Sequence, residues 1–230
     1  MRILPREPRE TGRDYALRNL KENIIQLRLA PGSMVSENEL AQQMGLSRTP
    51  VREALLELSK VKLVEVYPQR GSAVALIDYD LVEEARFMRG ALECAVVQLA
   101  CRLATAQDVA LLRANVDDQQ RLLERSDADG LWTLDNAFHR LLFTIARKEH
   151  THGLIKGFTL HFDRVRTMSL AAVSMQRNVS DHRAICEAVA AGNAAAAREL
   201  TEMHLSRYKV DEEALRSRYP AAYFKQRSSL

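Results

Sequence analysis

The stretch Ser36-Glu37-Asn38-Glu39-Leu40-Ala41-Gln42-Gln43-Met44-Gly45-Leu46-Ser47-Arg48-Thr49-Pro50-Val51-Arg52-Glu53-Ala54-Leu55-Leu56-Glu57-Leu58 reads as two short helices around a tight turn. Ser36 is a preferred N-cap residue, and Glu39 three positions on completes the pattern of a capping box. Leu40 and Met44 repeat at helical spacing. Gly45 stands where a helix ends in the left-handed conformation. Ser47 then caps a second helix with Pro50 in its first turn, where a missing N–H costs nothing. Val51, Ala54, Leu55 and Leu58 form the apolar face of that helix, while Arg48, Thr49 and Arg52 crowd the opposite edge of its N-terminus. A helix, a glycine turn and a second helix with two arginines and a hydroxyl at its start are the parts of a DNA-reading helix-turn-helix.

Working outward, Asp14 to Leu29 carries Leu17, Leu20, Ile24, Ile25 and Leu27, which predicts a helix stopped by Ala30-Pro31-Gly32-Ser33. After the second helix, Leu63–Tyr67 and Ser72–Ile77 read as strands flanking a turn at Pro68-Gln69-Arg70-Gly71, a hairpin placed as a wing. Arg70 and Gly71 at its tip are expected to reach the minor groove or a phosphate, glycine permitting close backbone approach. From Asp80 onward only helical patterns remain, near 80–104, 106–126, 128–148, 151–173, 177–191 and 193–216. The absence of proline between Pro68 and Pro220 agrees with long uninterrupted helices. The fold class is therefore mainly α: an N-terminal winged helix-turn-helix followed by an all-α antiparallel helical bundle.

Composition narrows the chemistry. The 230 residues carry a formal net charge of +3, are 47% hydrophobic and 27% charged. Residues 1–77 hold 12 Lys+Arg against 9 Asp+Glu, and residues 78–230 hold 21 against 21, so the cationic excess lies with the helix-turn-helix. Cys94, Cys101 and Cys186 form no CxxC pair. Seven helical residues put Cys94 and Cys101 about 10 Å apart, too far for a disulfide. Reduced thiols, no apolar run of about 20 residues and no signal-peptide core together predict a cytoplasmic protein with no membrane partner.

Polar residues on apolar stripes carry the second functional signal. Leu131, Leu134, Phe138, Leu141, Leu142 and Ile145 form one helix face, and Asp135 and His139 fall within it, side by side at i, i+4. A carboxylate facing a core is costly unless paired or bound to a cation. His182 precedes Ile185 and Val189 on an inner face, and His204 follows Leu200 on the next helix. Both lie ten or eleven residues from the turn at Gly192-Asn193, so an antiparallel hairpin brings them to similar height. A single inward histidine is usually a hydrogen-bonded core residue; four positions at concordant spacing favour a divalent metal. One carboxylate and three imidazoles suit Zn²⁺ first, then Ni²⁺, Mn²⁺ or Fe²⁺, ahead of Ca²⁺ or Mg²⁺. His150, His152 and His161 are read as non-ligands. Arg89, beside Ala85, Leu92 and Val96, either pairs with Glu93 as a partly exposed arginine or aims at the metal cavity to clamp a carboxylate. Arg164 or Arg166 can add to such a site, with at most one pointing inward.

These residues resemble a known family. Ala30-Pro31-Gly32-Ser33, Ser36-Glu37-Asn38-Glu39-Leu40-Ala41 and Ser47-Arg48-Thr49-Pro50-Val51-Arg52-Glu53-Ala54-Leu55 look like the winged helix-turn-helix of GntR-type bacterial transcription regulators. Arg89-Gly90-Ala91-Leu92-Glu93, Asp135-x-x-Phe138-His139, Asp181-His182-x-x-Ile185 and His204-Leu205 resemble the FCD effector domain of the FadR subgroup. The resemblance implies a homodimeric repressor or activator on a near-palindromic double-stranded operator, its helical domain binding a small organic acid. It implies a metal on Asp135, His139, His182 and His204, and DNA contacts from Arg48, Thr49 and Arg52, with Ser47 and Gly71 close to phosphate; the reading of the residues adds Arg70 on the wing and Arg89 and Arg164 as effector contacts. Asn38 departs from the pattern at a spot where some relatives carry a basic residue. With its metal set complete, the chain is expected outside the fatty-acyl-binding branch. The expected organisation is a flexible tail at 1–11, a winged helix-turn-helix at 12–77, a linker at 78–82, a helical effector and dimerisation domain at 83–218 and a C-terminal tail at 219–230. A metal-responsive regulator, with the ion as effector, and a metal-dependent hydrolase are the alternatives.

Overall fold

The computed structural model describes residues 1–172 and 175–226. The chain divides into two compact units, residues 1–82 with 219–230, and residues 83–218.

The first unit is built on α1 (Gly12–Ile25), α2 (Glu37–Met44) and α3 (Arg48–Lys60), with a sheet of β1 (Met34–Val35), β2 (Val64–Tyr67) and β3 (Gly71–Val74). The strand order is β1-β3-β2, antiparallel throughout, with Met34 opposite Ala73 and Val66 opposite Ser72. The two residues of β1 were not legible in the sequence; they are too few to show alternation. Leu20, Ile24, Val51, Leu55, Leu58 and Leu63 are buried at the centre, each contributing about 1.5–3 kcal/mol by leaving water. Ser36 accepts from the Glu39 backbone N–H, and Gly45 ends α2 with φ 64°, in the left-handed region. Helix α1 stops at Ile25, short of the predicted Leu29. Leu27 turns left-handed (φ 56°) and its N–H donates to the carbonyl of Ile24.

The two ends of the chain also belong to this unit. Residues 2–4 lie along α1. The Arg2 N–H donates to Asn23 Oδ1 (2.7 Å) and the Leu4 N–H to Asn19 Oδ1 (2.8 Å), and both asparagines are fully buried. At the other end, Ile77 donates to the Tyr223 carbonyl (2.8 Å), and Lys225 donates to the Ile77 carbonyl (2.9 Å). Phe224 is buried against Tyr79, its ring stacked at 6.2 Å. Residues 227–230 of the segment read as a tail lie outside the described residues.

The second unit is helical: α4 (Tyr79–Leu103), which begins in the first unit within the stretch read as a linker, then α5 (Ala106–Glu124), α6 (Ala128–Ile145), α7 (Glu149–Ile155), α8 (Leu160–Ala172), α9 (Met175–Ala190), α10 (Ala194–Ser206) and α11 (Tyr208–Arg218). Helices α5, α6, α9 and α10 pack as a group, and α8 lies against α6, α9 and α11. Phe138, Phe143, Val97, Leu112, Leu131 and Ile185 lead the core. Two predicted helices are each split. The one expected at 151–173 breaks between Lys156 and Thr159, where Gly157 is a poor helix former; its residue 173 lies outside the described residues. The one expected at 193–216 is interrupted at Arg207. Among the described residues no helix is long and apolar enough to cross a membrane.

Candidate metal centre and nucleic-acid interface

Helix α6 presents Asp135 and His139 one turn apart, α9 presents His182 and α10 presents His204, all four buried. The Gly192-Asn193 turn, with Gly192 at φ 66°, folds α10 back on α9 and sets the His182 and His204 rings 4.7 Å apart. His139 lies 5.3 Å from His182 and 5.4 Å from His204, ring centre to ring centre. One ligand atom from each of the four falls within 4.8 Å of all the others; His150, His152 and His161 are not in this group.

The partners of the imidazoles set their orientation. Nδ1 of His139 stands 2.7 Å from Glu93 Oε2, Nδ1 of His182 is 2.8 Å from Gln119 Oε1, and Nδ1 of His204 is 3.3 Å from Asp181 Oδ2. In all three the nearest acceptor stands at the same ring nitrogen, hydrogen-bonded in His182 and His204 and at ion-pair distance in His139. With Nδ1 so engaged, Nε2 is left as the lone-pair donor, the outer arrangement typical of metal-bound histidine. Nε2 of His182 lies 3.7 Å from Asp135 Oδ1 and Nε2 of His139 lies 4.0 Å from Asp135 Oδ2. Both Asp135 oxygens, both ring nitrogens of His139, Nε2 of His182 and Oε2 of Glu93 are buried without a hydrogen-bond partner, the two carboxylates being met by ion pairs alone at these atoms. Such atoms cost free energy unless something completes them.

The outer contacts extend further. Gln119 donates to Asn115 Oδ1 (2.7 Å), and Asn115 donates to the Leu134 carbonyl (3.2 Å). Asp181 is held by the guanidinium of Arg207. Glu93 bridges His139 to Arg89, whose Nε donates to Glu93 Oε1 at 2.6 Å. Arg89 is 3% exposed and lies 4.9 Å over the Phe162 ring, so it is buried and paired where a partly exposed arginine was one expectation. Its Nη1 has no hydrogen-bond partner. Arg164 and Arg166 are both buried, although at most one was expected inside; α8 is covered by α6, α9 and α11. The guanidinium that meets Asp135, at 2.9 Å, is that of Arg166, which also lies 4.4 Å over the Trp132 ring. Burial pushes the Arg164 guanidinium down to about 9, still cationic at neutral pH.

Electrostatics prepare the set for a cation. Burial holds the His139 imidazole below its ordinary range, and burial with neighbouring His204 holds His182 well below it, so both present neutral nitrogens. Burial pushes Asp135 up, but the Arg166 guanidinium outweighs it and keeps the carboxylate ionised; the Arg89 guanidinium does the same for Glu93. His204 and Arg207 hold Asp181 down to about 2 against its burial. An ion about 2.1 Å from two donors needs them within about 4.2 Å of each other. The two Asp135–imidazole distances meet that outer limit, and the widest pair, within 4.8 Å, has about 0.6 Å to close before it does. The residues fit a transition metal with nitrogen and oxygen ligands.

The first unit gathers the other predicted residues. Ser47, Arg48, Thr49 and Arg52 are exposed at the start of α3, and Arg70 and Gly71 at the exposed wing tip. Arg48, Arg52, Arg70 and Gly71 share one groove bounded by β1, α2 and the wing. Ser47 is the N-cap of α3, but its side chain makes no capping hydrogen bond. The Gly71 φ of 100° is a conformation L side chains rarely adopt. Arg48 is held by Glu37 at 3.0 Å on the surface.

Sequence reasoning missed the outer residues Gln119 and Arg207, quoted Asp181 without assigning it a role, and saw Glu93 only as a partner for Arg89. Asn115 and Gln119 beside Leu112 and Val116 carried the same signal as Asp135, polar groups on a buried stripe.

Comparison with known proteins agrees with this geometry. Residues 14–74 match the model of bacterial regulatory proteins of the gntR family, and residues 84–207 match that of the FCD domain. The chain is 35% identical over 216 residues to an HTH-type transcriptional regulator in an unstable DNA locus of Streptomyces ambofaciens, covering 94% of this chain and 90% of that protein. It is 37% identical over 157 residues to the HTH-type transcriptional repressor RspR of Escherichia coli K12, covering 68% and 69%. The structure of E. coli McbR/YncC shares the fold, with a TM-score of 0.75 at 21% identity over 92% of this chain and all of that one. This chain belongs to the gntR family of bacterial regulatory proteins, carries an FCD domain, and is a helix-turn-helix transcription regulator rather than an enzyme.

Proposed function

We propose that this protein is a ligand-responsive repressor acting in the cytoplasm, in which a small organic acid bound at the metal centre alters operator affinity. The observation that carries this reading is that Nδ1 of three histidines faces an acceptor from another helix, while Nε2 of His139 and His182 lies within 4.0 Å of a buried, ionised Asp135. Zn²⁺ is the first choice of ion, and Ni²⁺, Mn²⁺ or Fe²⁺ satisfy the same donors. A bound cation makes an anion favourable in its vicinity. Arg89, with its unpartnered Nη1, and Arg166, against Asp135, are the guanidiniums we assign to a carboxylate. A small pocket of about 30 Å³ lined by Phe162, Arg166, Asn178, His204 and Arg207 opens beside His204.

In this reading a homodimer sets two α3 helices in successive major grooves of a near-palindromic operator. Arg48 and Arg52 address bases or phosphates, Thr49 lies beside them, Ser47 and Gly71 approach phosphate, and Arg70 enters from the wing. The repressor sign follows the name of RspR. Acid and DNA are linked reciprocally: whatever the acid does to operator affinity, the operator does to acid affinity. The test is operator binding by metal-free protein, by metal-loaded protein, and by metal-loaded protein with a panel of small carboxylates. A change with metal and carboxylate together supports the proposal. A change with metal alone makes the ion the effector, and no change in any arm overturns both.

A further inference from the structure

The amino-terminal residues 1–10 precede the segment that matches the gntR family, and they are fastened in an unusual way. Asn19 and Asn23, one helical turn apart and fully buried, point their side-chain amides at extended backbone. Asn23 accepts from the Arg2 N–H and donates to the Arg2 carbonyl (2.7 and 2.8 Å), and Asn19 accepts from the Leu4 N–H (2.8 Å). Four helical residues advance about 6 Å and two extended residues about 6.7 Å, so the two repeats stay in register. Tyr15 donates its hydroxyl to the Leu4 carbonyl, and Arg18 donates to the Pro5 carbonyl. The strap runs antiparallel to α1 and closes in a turn in which Glu10 donates to the Glu7 carbonyl and Arg9 is left-handed (φ 65°).

The strap places that turn at the amino end of α1, and this end lies against the recognition helix. A side chain at Gly12 would sit 3.5 Å from Leu46 and 3.5 Å from Pro50, on either side of Ser47–Thr49. A helix about 10–12 Å across fills a major groove about 12 Å wide, so whatever flanks its first turn faces the phosphates at the groove's edge. Arg6 is spent on the Glu10 carbonyl (2.8 and 3.2 Å), bracing the turn. Arg13 is paired with Glu57 at 3.0 Å. Arg9 is exposed, and among the described residues its guanidinium has no hydrogen-bond or ion-pair partner.

We infer that the strapped turn is a third DNA-contacting element, in which Arg9 meets a backbone phosphate beside the recognition helix. The inference rests on the DNA-reading face proposed above. The contact is sequence-independent and neutralises one phosphate per arm.

The test measures binding of the full-length protein to a fluorescent duplex of mixed sequence, about two helical turns long, over a range of salt. Arg9→Asn keeps a residue that tolerates the left-handed conformation and removes the charge. It is expected to flatten the slope of log affinity against log salt by about 0.9 for each arm engaged, and to weaken binding about tenfold per arm at low salt. Arg9→Lys is expected to restore both. An unchanged slope in Arg9→Asn overturns the inference, and so does a slope lost equally in Arg9→Lys, which assigns the effect to the turn and not the charge. Arg48→Ala with Arg52→Ala, measured alongside, tests the recognition helix independently: loss there with no effect at Arg9 rejects the arm and keeps the face.

Discussion

The two functional regions spend their polar residues in opposite ways. At the DNA-reading face Ser47, Arg48, Thr49 and Arg52 stand in water, and the one local ion pair, Arg48 with Glu37, is 68% and 26% exposed at its side chains. Water solvates each group whether or not it has a partner, so the face tolerates unfinished contacts until a phosphate or base arrives. In the candidate metal centre Asp135, His139, His182 and His204 lie in a core where an unfinished contact is expensive, and each histidine is met from behind by a second residue. The difference teaches that the buried site has to be assembled before its ligand, and its substitutions should propagate, whereas those on the face should stay local.

The largest effect is expected from removing a ligand. Metal at a thousandfold excess over its dissociation constant stabilises the native state by about 4 kcal/mol. His182→Ala should abolish that gain, so that metal no longer raises the unfolding transition of the 83–218 unit, and metal content after dialysis should fall to background. Gln119→Ala, which removes only the residue behind His182, should lose about 10–100-fold in metal affinity. If both variants retain metal as well as the parent chain, the ion lies elsewhere and the buried region is no different in kind from the exposed one.

Acid should separate the regions next. In the metal-free fold His139 and His182 are held neutral by burial, while in the unfolded chain they titrate near 6.5. Below that pH the unfolded chain takes up protons that the fold refuses, so stability present in full above about 6.5 is lost as pH falls. Asp135 and Glu93, held ionised by Arg166 and Arg89, add a second loss in the same direction once their unfolded counterparts protonate near pH 4. The urea midpoint of the metal-free 83–218 unit should therefore drop between pH 7.5 and 5.5, and His139→Gln should make the drop shallower. A midpoint that rises with acid would reverse the assignment of these imidazoles as neutral.

The same contrast explains what the sequence disclosed. The DNA-reading helices were legible because their signals are local: Ser36, Gly45 and Pro50 act within one turn of their own positions. Asp135, His139, His182 and His204 were legible because a polar residue on an apolar stripe is a conflict visible in one dimension. Their supports were not, because Glu93, Gln119 and Asp181 reach the site from other helices, and no spacing rule links residue 119 to residue 182. The amino-terminal strap escaped for the same reason: Asn19 and Asn23 sit in a helix that reads normally, and their partners are backbone atoms 15 and 21 residues away. Breaks at Gly157 and Arg207 were masked by continuous apolar patterning on both sides.

The smallest effect is expected on the exposed face itself. Glu37→Gln removes the acidic partner of Arg48. An exposed pair of this kind contributes about 0–1 kcal/mol, and α2 keeps its Ser36 cap, so the unfolding midpoint of the DNA-binding unit should hardly move. Binding should respond in the other direction. Arg48 no longer has to leave a carboxylate, and one negative charge is gone from the groove we propose faces phosphate, so affinity for DNA should rise at low salt and the gain should fade as salt increases. A fall in affinity would mean that Glu37 orients the Arg48 guanidinium as Glu93 orients His139. The exposed face would then depend on prior assembly just as the core does, and the contrast between the two regions would be one of degree.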